Sequence, residues 1–170
     1  MAQKVAISLS TSLANRNAVV QQFAINDTPI GQDKPNKRRA DVQLIQFFLF
    51  YYYKDNPQLF RTLPQTPSGR NYISIDGVCG PQTRQGIWLF QKNLSRLGSS
   101  IQVDGVVQVA KSLAGPVHNI MYTIWWLNKW FLSSDSGRGY EMNLESHPLI
   151  ANLAPDLYAE LKASPVTVIP

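Results

Sequence analysis

The strongest constraint on this chain is a tight corner that it uses twice. Ile73-Ser74-Ile75-Asp76-Gly77-Val78 is echoed, 28 residues on, by Ile101-Gln102-Val103-Asp104-Gly105-Val106. In an Asp-Gly pair the carboxylate accepts hydrogen bonds from its own backbone, and glycine supplies a conformation other residues resist. Each corner therefore reverses the chain sharply, and the elements between them must be short.

Helical periodicity fills the space around the corners. Val42, Ile45, Leu49 and Tyr52 fall on one helical stripe, with Asp41 placed to cap its start. Phe47, Phe48, Phe50, Tyr51 and Tyr53 surround that stripe. A helix apolar on every side is buried on every side or meets a partner. Asn56-Pro57 ends it, and residues 61–71 read as a Pro/Ser/Gly loop. After the first corner, Gly80 is free to adopt a positive φ and Pro81 takes the first helical position. Thr83, Ile87, Phe90, Leu94 and Leu97 then mark a second helix closed by Gly98. A short helix is expected over 108–113. Gly115-Pro116 opens another at 117–132, with Ile120, Ile124, Leu127 and Phe131 as its stripe and Trp125, Trp126 and Trp130 on its flanks. Two short helical segments fit 148–153 and 155–161.

The expected fold is mainly α. Residues 1–38 read as an extended basic arm without a core pattern, Val5, Ile7 and Leu9 forming a short strand. Residues 39–114 form a helical module and 115–132 a Trp-rich helix packing on it or on a partner. Residues 133–170 form a loop, short helices and an extended tail, whose Val166–Ile169 run suits an edge strand added to something else.

Of the 170 residues 44% are hydrophobic and only 16% charged, against about 25% charged in ordinary domains. That composition excludes a disordered chain. The longest apolar run, Phe47 to Tyr53, is far shorter than the roughly 20 residues of a membrane span. The Ser-interrupted stretch after Met1 lacks the dense apolar centre of a signal peptide, so no cleaved leader is expected and the compartment stays open. The net charge of +5 lies entirely in residues 1–70, concentrated at Lys34, Lys37, Arg38 and Arg39. Such a cluster suits a solvated arm, an acidic protein or a teichoic-acid contact better than nucleic acid.

Little in the sequence suits catalysis. One cysteine and two distant histidines make no metal motif, and no cofactor signature is present. Cys79 with His118 is the one thiol–imidazole possibility. Glu141 and Glu145 are four apart yet flanked by exposed loop chemistry, a poor setting for paired glycosidase carboxylates. Asp76 and Asp104 are committed to their own turns. A non-enzyme is expected.

The stretch Asp41 to Leu113 resembles the peptidoglycan-binding domain family, a three-helix module attached to many cell-wall hydrolases. The family's V-x-x-L-Q-x-x-L is similar to Val42-Gln-Leu-Ile45-Gln46-Phe-Phe-Leu49. Its D-G-x-x-G-P-x-T followed by F-Q is similar to Asp76-Gly77-Val78-Cys79-Gly80-Pro81-Gln82-Thr83 and Phe90-Gln91. Its second D-G-x-V is similar to Asp104-Gly105-Val106-Val107. Cys79 stands where the family carries a bulkier residue, the first loop is longer, and Gln108-Val109-Ala110-Lys111 replaces a final G-x-x-T. The resemblance implies an inert buried thiol at Cys79 and a non-catalytic cell-wall-binding role.

Gln46 and Gln91 occupy matching sites in the two main helices. They either bond loop carbonyls or contact a sugar or peptide, and Tyr52 and Trp88 join them as candidate ligand contacts. Tyr51, Tyr53, Trp125, Trp126 and Trp130, with the basic cluster, are candidates for a protein-partner or homo-oligomer surface, and at least one aromatic patch covered by another chain is expected. The alternative to wall binding is an assembly subunit, for instance in a phage particle or contractile injection apparatus. The extended ends, the aromatic surface and the altered third motif favour it.

Overall fold

Helix α1, Arg39–Asp55, is the axis of the fold, and 13 of its 17 residues are buried. The computed structural model describes residues 3–8, 20–25, 29–31, 38–64, 72–109, 122–134 and 144–169. Around α1 lie α2 (Pro57–Phe60), α3 (Pro81–Arg96), α4 (Thr123–Ser133), a 3-10 turn at Leu144–Ser146, α5 (Ile150–Leu153) and α6 (Pro155–Ala163). The architecture is mainly helical, as the periodicity predicts.

The aromatic collar of α1 explains this arrangement residue by residue. Phe47, Phe48 and Tyr51 meet Phe131 of α4 at ring distances of 5.7, 5.4 and 5.5 Å. His147 closes the same cluster, 5.2 Å from Phe47 and 5.3 Å from Tyr51. On the next face Tyr52 sits edge-on to Phe90 of α3 and Trp130 of α4, at 4.8 and 5.1 Å. Tyr53 packs on Phe60 of α2, and its hydroxyl donates to the Gly86 carbonyl at 2.8 Å. Gly86 is where α1 and α3 approach: a Cβ there would meet Ile73, Leu49 and Tyr53 within about 3.5 Å. Val42, Ile45, Ile87 and Phe90 share one core with Ile124, Leu127, Leu157 and Leu161.

That core corrects the partner-surface reading. Tyr51, Tyr53 and Trp125 are almost fully buried by this chain's own helices. Trp126 and Trp130 are half-buried. The aromatic excess that looked too large for one small module is absorbed by α4, His147 and α5–α6. Periodicity marks an apolar face but not the distant segment that covers it.

The polar flank of α1 is also satisfied within the chain. Gln43 is buried; its amide donates to Asp156 at 3.1 Å, and its oxygen accepts the Leu157 N–H at 3.0 Å, closing the first turn of α6. Arg38 pairs with Glu160 at 2.9 Å and Arg39 with Asp156 at 2.8 Å. Two members of the basic cluster thus face α6 rather than an external anion. Lys34 and Lys37 lie outside the described residues. Asp41 sits inside the first turn of α1, preceded by Arg38 as the capping residue.

Both chain ends enter the fold. Strand β1 (Gln3–Ser8) pairs antiparallel with β2 (Val20–Ile25) and parallel with β5 (Val166–Ile169), in the order β2-β1-β5. The tail expected to add to another body therefore adds to the first strand of its own chain. Strand β3 (Ile30–Gly31) pairs antiparallel with β4 (Val106–Val107). Ile30 is fully buried in the main core, so the region read as an arm without a core pattern contributes to it. Gly31 has φ 150°, and a Cβ on it would strike the backbone oxygen of Gly105. A two-residue ladder is too short for a strand pattern to reveal.

Candidate functional site

The corners are built as read, and each is locked by a glutamine from the preceding main helix. Gly77 and Gly105 take φ of 73° and 71°, the left-handed region that favours glycine. The Asp76 and Asp104 carboxylates accept the N–H of Val78 and Val106, each at 2.9 Å. Gly80 instead has φ −79° in extended backbone at the start of α3. The expected positive φ is not needed there, because the reversal is complete at Gly77.

Gln46 reaches from α1 into the first corner. Its oxygen accepts the Gly77 N–H at 2.8 Å. Its amide nitrogen lies 2.9 Å from Asp76 Oδ1, 3.0 Å from the Val78 carbonyl and 3.1 Å from Thr83 Oγ1. Gln91 does the same from α3. Its oxygen accepts the Gly105 N–H at 2.7 Å and the Asp104 N–H at 3.2 Å. Its nitrogen lies 3.1 Å from Asp104 Oδ1, 2.9 Å from the Val106 carbonyl and 2.9 Å from Thr123 Oγ1. An amide has two hydrogens, so in each hub three acceptors share them.

The equivalence is complete down to the threonine. Asp76 and Thr83 are 7 residues apart, whereas Asp104 and Thr123 are 19 apart. The place Thr83 holds in the first hub is held in the second by Thr123, the first residue of α4, beyond a longer connection. Residues 108 and 109 are not helical, and 110–121 lie outside the described residues, as does most of the short helix expected at 108–113.

This geometry places the candidate ligand contacts. Gln46, Gln91 and Tyr52 are each no more than 2% exposed. Their polar atoms are engaged inside the protein, Tyr52 through a 2.7 Å bond from Asn93. Burial raises the phenol pKa of Tyr52, partly offset by the Asn93 bond. It raises that of Tyr53 well above the ordinary range, reinforced by neighbouring Tyr52. Trp88 is half-buried beside Gly105, with Lys92 Nζ 4.4 Å over its ring. Of the four, only Trp88 offers atoms to an external molecule.

Chemistry-bearing groups do not assemble elsewhere among the described residues. Cys79 is half-buried with its sulfur 3.9 Å from the Gly31 carbonyl. His118 and Glu141 lie outside the described residues. No group of three or more His, Cys, Asp or Glu that could hold a metal occurs among those described, and none of their helices is long and apolar enough to cross a membrane.

A concave surface that the motifs did not flag opens where α1 ends. It encloses about 470 Å³, floored by Tyr53 and lined by Phe50, Lys54, Pro57, Phe60, Arg61 and Tyr72. Phe50 and Tyr72 stand nearly perpendicular, 5.7 Å apart. Tyr72 is 42% exposed, the one aromatic among the exposed large apolar side chains of the described residues. Residues 50, 54, 57 and 61 follow helical spacing across the Asn56-Pro57 break. That spacing is the signal that finds the groove, and it is hidden by treating the proline as an end. A scan against protein-family models, a search of curated proteins and a search of solved structures each return no match to this chain.

Proposed function

We propose that this chain is a non-catalytic peptidoglycan-binding protein, its core a three-helix module formed by α1, α3 and α4. The observation that carries the reading is the paired hub. The residues that resemble the family motif, Gln46 with Asp76-Gly77 and Thr83, and Gln91 with Asp104-Gly105, are the residues that close both corners. Motifs that arose by chance would not be expected to interlock in two equivalent constellations. The resemblance then supplies the ligand class.

Sedimentation with purified murein sacculi tests the reading. The full chain is expected in the pellet with intact sacculi and in the supernatant without them. Failure to pellet at low and physiological salt refutes it.

The assembly-subunit reading retains one supporting observation: strands β2 and β5 are the edges of the β2-β1-β5 sheet, and an edge is a template for pairing. Two features that favoured it are lost, since the aromatic collar is covered by this chain's own helices and strands β1 and β5 pair with each other. A chain that remains monomeric at high concentration and is absent from large particles on gradient fractionation rejects it.

A further inference from the structure

We infer that the groove at the end of α1 binds a short peptide bearing free carboxylates and small apolar side chains, the chemistry of the wall polymer's peptide stem. This rests on the wall-binding proposal for the identity of the polymer, but the groove's own chemistry selects the class. Its volume of about 470 Å³ lies within the range of small-ligand sites, about 300–1,000 Å³. Its walls are apolar, from Phe50, Pro57, Phe60 and Tyr72, and its two charged members, Lys54 and Arg61, are both cationic and exposed. Among the described residues no carboxylate lines it; Asp55, next to Lys54, is not part of the wall. An anion is therefore favoured, and Arg61 can grip a carboxylate through two parallel N–H bonds.

The same residues argue against the other polymers. Neutral glycan recognition calls for side-chain amides or carboxylates, and the described lining residues include none, while the Tyr53 hydroxyl is already bonded to Gly86. A single-stranded nucleic acid needs parallel aromatic platforms along a continuous cationic track. Here the Phe50 and Tyr72 rings meet at 74°, walling a pocket for small groups rather than a stacking shelf. Arg38 and Arg39 add no unpaired cations to such a track, being paired with Glu160 and Asp156.

The test uses the intact chain and an N-acetylated tripeptide ending in D-Ala-D-Ala, in free-acid and C-terminally amidated forms. Binding is followed by backbone amide shifts, with chito-oligosaccharide and oligothymidylate as competitors. The acid form is expected to shift the amides of Lys54, Arg61 and Tyr72. The amidated form should bind about tenfold more weakly, and the exposed double variant Lys54→Glu/Arg61→Glu should lose about tenfold or more with its melting temperature kept. Lys54→Arg should bind like the parent. Equal binding of both peptide forms, parental affinity in the double variant, or occupation of the groove by the glycan or the oligonucleotide instead overturns the inference. Sacculi separate the two proposals. If the double variant pellets like the parent, the groove assignment falls and wall binding stands. If the parent ignores sacculi but binds the acid peptide at these residues, wall binding falls and the groove chemistry stands.

Discussion

The two glutamine hubs are chemically equivalent but differ in their access to water, and this difference predicts unequal losses on mutation. Replacing Gln91 with Leu removes the acceptor of the Gly105 N–H and the donor to Thr123, in a site where Gly105, Val106 and Thr123 are all buried. Leucine fills most of the volume but offers no hydrogen bond, and water cannot replace it. A buried polar group left unpaired costs about 1–3 kcal/mol, so two such groups give a loss of about 3–4 kcal/mol. Replacing Gln46 with Leu strands the Gly77 N–H and takes a partner from the buried Thr83 hydroxyl, but Gly77 is half-buried, Thr83 Oγ1 keeps the Val78 carbonyl at 3.5 Å, and Asp76, which is exposed, keeps the Val78 N–H. Water can take over, leaving the net value of the lost bonds, about 1–2 kcal/mol.

Urea unfolding measures both. With a slope of about 2 kcal/mol/M, the midpoint should fall by about 1.5–2 M for Gln91→Leu and by about 0.5–1 M for Gln46→Leu. An unchanged slope would confirm that stability, not compactness, has moved. Gln91→Glu adds a control with a sign. It keeps an acceptor for Gly105 but sets a second carboxylate against Asp104, so burial and like charge raise the folded-state pKa of the introduced group. Its stability should then be fullest below the unfolded carboxyl pKa and lost as pH rises through the folded one. Equal losses for the two leucine variants, or a loss below about 1 kcal/mol for Gln91→Leu, would refute the argument that desolvation sets the cost.

Glycine substitutions should rank by what a Cβ would strike. Gly31→Ala, which drives a methyl into the Gly105 carbonyl, should lower the melting temperature most; Gly77→Ala, which meets only the flexible Arg39 side chain but keeps a positive φ, should cost about 1–2 kcal/mol; and Gly80→Ala, with open space around it, should be nearly silent. Phe131→Ala, which empties the centre of the Phe47–Phe48–Tyr51 cluster, should cost about 3–5 kcal/mol by urea unfolding. Because burial raises the phenol pKa of Tyr52 and Tyr53, their contribution is complete below the unfolded value near 10. It should be lost as pH climbs above that, by about 1.4 kcal/mol per pH unit for each such tyrosine. Tyr53→Phe should flatten that alkaline fall in urea midpoint.

How far the fold could be read from the chain depends on the range of each interaction. The Val42–Ile45–Leu49–Tyr52 stripe, the second helix and both Asp-Gly corners are local, and each is visible because a few adjacent residues decide it. The covering of Phe47, Phe48 and Tyr51 is not local. It comes from Phe131 and His147, more than 75 positions away, and no periodicity within α1 specifies them. Gln43 carries the same lesson in polar form, since its partners Asp156 and Leu157 lie over 110 residues on. Thr123 marks the boundary between the two cases. Its role repeats that of Thr83, but it stands 19 residues after its aspartate rather than 7, so only geometry returns it to Gln91. The lengthening is tolerable because the entropy of closing a loop grows only with the logarithm of its length, about 0.9 kcal/mol for that change by the ideal-chain relation. Two hydrogen bonds from one buried amide suffice to offset that, so the chain can keep an interrupted motif wherever the glutamine stays buried.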